Sequence, residues 1–193
     1  MRLIIAITGA SGVNYGRRLL QILKTKKVET HLIVSNAAEK VIEHELGLSK
    51  KDIAKLADHV CEAGDLTSAL MSGSFKTDGM IIIPCTMKTL SGIVHGFADN
   101  LILRAADVTL KEKRRLIVVP RETPLSTIHL RNMLTAAKLG IHVVPAMPAF
   151  YHKPKNIDDL VDFVVGRVLD SLEIEHDLFK RYTGMKKRSQ TAA

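Results

Sequence analysis

Apolar and polar positions alternate in two rhythms along this chain. Short apolar runs at Leu3–Thr8, Glu29–Val34, Met80–Ile83, Leu116–Val119 and Ile141–Val144 read as strands. Between them lie helix-period segments. Val13–Lys24 turns Leu19, Leu20 and Leu23 inward, and Ala37–Glu45 follows Ser35 as its N-cap. Lys88–His95, Asn100–Lys111 and Ser126–Leu139 are the next helices, the last ended by Gly140. The cleanest pattern is Ile157, Leu160, Val161, Val164, Val165, Val168, Leu169 and Leu172, which predicts one continuous apolar stripe on a final helix. From Gly47 to Lys76 the pattern is weaker. Ser49 and Asp52 suit the cap of a short helix through Ala57, Val60–Ala63 reads as a third strand, and Gly73-Ser74 marks a loop.

Strands alternating with helices through short connections predict a single-domain α/β fold with a central parallel sheet and helices on both faces. Residues 1–175 form the expected domain. Residues 176–193 form a C-terminal extension, partly disordered, with disorder expected over Lys186–Ala193. In such a sheet the C-terminal strand ends share one edge, where ligands bind. Four strands run out there into small, hydroxyl or charged residues: Gly9-Ala10-Ser11-Gly12, Cys85-Thr86, Arg121-Glu122 and Ala146-Met147. That juxtaposition points to a phosphate-bearing ligand.

Composition narrows the reading. The apolar fraction of 46% and charged fraction of 25% are those of a soluble globular protein, and no run approaches a membrane span. Two cysteines, Cys61 and Cys85, suggest no disulfide framework, in keeping with a cytoplasmic location. The net charge of +8 admits nucleic-acid binding, but with 4% aromatics and no tryptophan it reads as solvated helix ends and a basic tail. A basic chain also suits a small anion. The eight histidines show no i+3 or i+4 ligand pair, so no metal is expected.

Several positions carry candidate chemistry. Gly9 to Gly12 lets backbone approach an anion at a helix start, or is a plain tight turn; it is neither G-x-G-x-x-G nor a P-loop. Ser35-Asn36, not an acid, follows the second strand, which favours a mononucleotide over NAD. Thr86-Met87-Lys88-Thr89 puts hydroxyls and a cation at a helix start. Arg121 and Glu122 are either a structural pair or a phosphate clamp beside a proton shuttle. Arg104, Asp107 and Lys111 share a helix face, which spacing alone reads as an ion-pair ladder. Arg167 borders the apolar stripe, so it is expected half-buried and in need of an anion. Tyr151, in a proline-bounded loop, either bonds a ligand or packs.

Taken in order, Thr8–Gly12 with Tyr15-Gly16, Pro84–Thr89, Asn100–Asp107, Pro120–Ser126, Ala149–Pro154 and Asp158–Arg167 resemble the flavin prenyltransferase (UbiX-type) family. The resemblance implies transfer of a dimethylallyl group from dimethylallyl monophosphate to N5 and C6 of reduced FMN, without a metal. It implies a single-domain Rossmann or flavodoxin-like flavoprotein that assembles as a homo-oligomer, typically a dodecamer, and a UbiD-type decarboxylase that receives the prenylated FMN. It assigns FMN to Gly9, Ala10, Ser11, Ser35, Thr86, Met87, Lys88, Thr89 and Arg121. The prenyl phosphate falls to Arg104, Lys111, Arg121, Tyr151 and Arg167, and catalysis to Ser11, Glu45, Glu122 and Lys111. On this resemblance Arg104 and Lys111 are ligand residues rather than a ladder. Two other readings remain: an FMN-dependent decarboxylase of the phosphopantothenoylcysteine type, which would want a histidine near Asn14-Tyr15, and a non-catalytic FMN-binding protein.

Overall fold

A computed structural model describes residues 1–184. Its six strands are β1 (Arg2–Ile7), β2 (Glu29–Val34), β3 (His59–Glu62), β4 (Gly79–Cys85), β5 (Arg115–Pro120) and β6 (His142–Val143). They pair in parallel in the order β3-β2-β1-β4-β5-β6. The helices are α1 (Val13–Thr25), α2 (Asn36–Leu46), α3 (Lys50–Ala54), α4 (Met87–Val94), α5 (Leu101–Lys111), α6 (Thr127–Lys138) and α7 (Ile157–Ser171). The expected α/β sheet is thus present, in the Rossmann order, and strand order reverses between β1 and β4.

Strand alternation builds two cores. Ile5, Ile7, Ile81, Ile83, Ile117 and Val119 face α1 and α7, whereas Ile4, Ala6, Met80, Ile82, Leu116 and Val118 face α4 and α5. Every residue of β4 is buried, as a central parallel strand requires. On one flank Arg18 and Asp162 tie α1 to α7 through two contacts, at 2.6 and 3.0 Å.

Local signals decide most helix ends. The Ser35 hydroxyl accepts from Ala38 N–H, Ser49 and Asp52 form a reciprocal capping box, and Gly140 ends α6 at φ +80°. Differences are local. The short helix α3 stops at Ala54 rather than Ala57 and unwinds through single turns at Leu56 and Ala57. β6 keeps only two residues of the expected four, although Val144 N–H still donates to the Val118 carbonyl. Ile157, the expected start of the α7 stripe, is 76% exposed in the helix's first turn, so the buried face starts later. Arg167 is likewise exposed rather than half-buried, because its neighbours Val165 and Val168 take the inward positions and Asp170 meets it at 2.8 Å.

The segment after α7 packs back on the core. Phe179 is 9% exposed and lies 4.8 Å from the Phe163 ring, with His176 and Phe179 filling the space beside Gly166. The disorder expected over Lys186–Ala193 falls outside the described residues.

Candidate flavin site

Where strand order reverses, a crevice of about 480 Å³ opens beyond β1, β2 and β4. Three helices start on its wall. α2 begins at Ser35, α4 at Thr86 and α5 at Asn100, and each cap side chain accepts from its own first turn: Ser35 from Ala38, Thr86 from Thr89 and Asn100 from Leu103. First-turn N–H groups have no intrahelical acceptor, and each helix adds the positive end of its dipole. Three such ends around one hollow favour an anionic group strongly. Lys88 adds a full charge at the mouth.

Thr8 locks the crevice floor. Its hydroxyl donates to the Pro84 carbonyl at 2.8 Å and accepts from Thr86 N–H at 2.9 Å, binding the ends of β1 and β4 together. Gly9 is required by close packing: a Cβ there would stand 2.5 Å from the Ala37 Cβ. Cys85 beneath the floor is fully buried, and burial pushes its thiol up to about 12, so it is no nucleophile.

The turn after β1 behaves differently from its expected role. The α1 N-terminus is already occupied, because the Glu45 carboxylate accepts from Gly12 N–H at 2.9 Å and Val13 N–H at 3.3 Å. An internal anion therefore uses those donors, whereas among the described residues no carboxylate caps α2, α4 or α5, although Leu101 N–H of α5 donates to the Ala63 carbonyl at 2.9 Å. Ser11 is exposed, and its carbonyl accepts from Arg121 Nε at 3.3 Å. Burial raises the Tyr15 phenol, while the nearby Arg121 charge pulls it back down. A second hollow of about 410 Å³ lies beside Arg121, Glu122, Thr123 and Met147. There Glu122 accepts from Thr123 N–H at 3.0 Å.

The expected residues thus fall into groups. Gly9, Ser35, Thr86, Lys88 and Thr89 line the main crevice. Ser11, Arg121 and Glu45 meet around the β1 turn, with Ala10 in the same turn and Glu122 next to Arg121. Met87 sends its side chain into the core and does not line the crevice. The cations do not gather within one chain. Arg104 bonds Asp107, as the ladder reading has it. Lys111 bonds Glu112 at 3.1 Å at the opposite end of α5 from the crevice. Arg167 lies well down α7, and Tyr151 sits edge-on to Phe163 and Tyr182. Sequence reasoning missed Asn36, Ala63, Gly64 and Asn100 on the crevice wall. Asn100 was findable as an N-cap; Ala63 and Gly64 lie in the weakly patterned stretch.

A nucleotide-sized crevice at the switch point, walled by helix N-termini, defines a flavoprotein-type site, and the Flavoprotein family model matches residues 1–169. Among relatives, "Flavin prenyltransferase UbiX" of Methanocaldococcus jannaschii is 53% identical over 182 residues, covering 94% of this chain and 98% of that protein. The chain belongs to the UbiX-type flavin prenyltransferase family. Solved structures agree. A dodecameric FMN-dependent UbiX-like decarboxylase from Escherichia coli O157:H7 superposes with TM-score 0.93 at 52% identity, covering 96% of this chain and all, 100%, of that one. AnUbiX (PadA1), in complex with FMN and dimethylallyl pyrophosphate, superposes with TM-score 0.94 at 47% identity, covering 96% and 98%.

Proposed function

We propose that this chain binds reduced FMN in the switch-point crevice and catalyses its prenylation by dimethylallyl monophosphate. The observation that carries the reading is the convergence of three helix N-termini on a crevice whose floor Thr8 locks, in a chain about half identical to flavin prenyltransferases. The residues fit the flavin. Ser35, Thr86, Lys88 and Thr89 would hold its phosphate and polar edge beside the Gly9 backbone, and Arg121 would close the side next to Ser11. The bound flavin supplies the nucleophilic atoms, N5 and C6, so the protein needs no nucleophile of its own.

The chain's part is electrostatic. Allylic C–O cleavage loads charge onto the leaving phosphate, and fixed cations around it lower the barrier. Arg121 stands at the β1 turn, on the Ser11 carbonyl; Arg104, Lys111, Tyr151 and Arg167 are the other assigned partners. Lys111 and Arg167 lie far from the crevice of their own chain and are at least half exposed or close to it, which supports a site completed between copies, as in a dodecamer. Glu122, held by Thr123 N–H, is the proton-moving group, and Ser11 and Glu45 orient the turn around the phosphate. A UbiD-type decarboxylase is the proposed recipient of the product, and the cytoplasm the proposed location.

The relative described as an FMN-dependent decarboxylase favours a second reading, a decarboxylase. Against it, the start of α1 carries Asn14-Tyr15 and no histidine. Anaerobic incubation with reduced FMN and dimethylallyl monophosphate, followed by mass spectrometry of the flavin, decides between them. A flavin heavier by one dimethylallyl group is expected; an unaltered flavin mass overturns the proposal.

A further inference from the structure

Far from the crevice, three donors that sequence spacing does not connect come together. β2 and β3 pair with His31 directly opposite His59, and Glu29 lies two residues before His31 on the same face. A ligand atom from each of the three lies within 4.8 Å of the others. We propose that Glu29, His31 and His59 form a binding site for a divalent transition-metal ion of the Zn²⁺ class, clamping edge strand β3 to β2.

The donor set is two imidazoles and one carboxylate, which suits zinc with a fourth position left to water. Glu29 Oε1 meets His31 Nε2 at 3.2 Å and His59 Nε2 at 3.5 Å. Arg2 Nε donates to the same oxygen at 2.8 Å, orienting the carboxylate. Phe75 backs the site, with its ring centroid 5.4 Å from that of His31 in an edge-on arrangement and its face under Arg2. The His31 and His59 rings now stack at 4.5 Å; His59, whose side chain is 54% exposed, is the one free to turn onto an ion. A cleft of about 410 Å³ beside Glu29 and His59 gives access from solvent, and Lys24 on its rim is turned away to the Lys55 carbonyl. At about 3.3 Å per residue, the length of β2 separates Glu29 from Ser35 by roughly 20 Å, so this site is distinct from the flavin site.

The test is calorimetric titration of ZnCl₂ into the untagged, chelator-stripped full chain, with flavin fluorescence followed in parallel. Uptake of about one ion per chain is expected, with flavin emission unchanged. His59→Ala, at an exposed position the fold tolerates, weakens uptake by about tenfold or more, the scale on which even outer-shell losses act. Glu29→Gln weakens it similarly, and His44→Ala, an exposed histidine elsewhere, does not. No uptake, or uptake that His59→Ala leaves unchanged, overturns the proposal. Because the readout is metal binding, either result leaves the prenyl-transfer reading untouched.

Discussion

At the C-terminal edge of the sheet the chain shows helix starts, small residues and hydroxyls; at the N-terminal edge it shows helix ends, lysines and the Glu29–His31–His59 group. Lys24, Lys111 and Lys138 occupy the last turns of α1, α5 and α6, where the dipole favours cations. One parallel topology therefore sorts chemistry by edge. It gathers anion-binding groups at one end and places much of the basic charge at the other. The proposed role of Lys111 at the prenyl phosphate runs against this sorting, because Lys111 ends α5 at the edge opposite the crevice.

The sharpest way to break the contrast is at the C-terminal edge. Glu122→Gln should slow prenyl transfer by about 10²–10⁴-fold, the range for a lost general acid or base, with FMN retained. Arg167→Ala should likewise abolish turnover without releasing flavin; full activity in either variant, by single-turnover assay, would take that residue out of the mechanism. Gly9→Val forces a side chain into the 2.5 Å approach to Ala37, and loss of bound FMN with a destabilisation of about 1–3 kcal/mol is expected from equilibrium unfolding. Glu45→Ala strips the α1 N-terminus of its acceptor and should cost about 0.5–2 kcal/mol; an unchanged denaturation midpoint would show water replacing the carboxylate without loss.

The smallest effect is at the opposite edge and depends on pH. Burial depresses the His31 pKa, against the pull of Glu29, below the usual 6.5. The unfolded chain then binds more protons than the folded one as pH falls, so stability declines from about pH 6.5 downward and levels off below the folded pKa. His31→Gln should flatten that slope in thermal melts recorded across pH, and a slope that survives the change would assign it elsewhere.

The central strands were legible because burial on both faces leaves no polar interruption: Met80-Ile-Ile-Ile83 cannot be read otherwise. Helix caps at Ser35 and Ser49 were legible because the signal is local. β3 was harder, since its four residues are largely exposed and carry little pattern. Contacts that depend on register were invisible. His31 and His59 become neighbours only through β2–β3 pairing, and Glu45 reaches Gly12 only once α2 packs beside the β1 turn. The motifs around Thr86 and Arg121 pointed to the right edge, but one chain leaves Lys111 and Arg167 apart.

Asp170 has a consequence for how the chain's end responds to substrate. It grips Arg167, Arg181 and His176 at once, and although burial alone would raise its pKa, the Arg181 guanidinium and the His176 imidazole together hold it below the usual carboxylate range. If Arg167 takes the substrate phosphate as proposed, Arg181 and His176 still hold Asp170, and the segment 172–184 keeps its mooring. Catalytic reach and terminal anchoring share a carboxylate, yet the first does not undo the second.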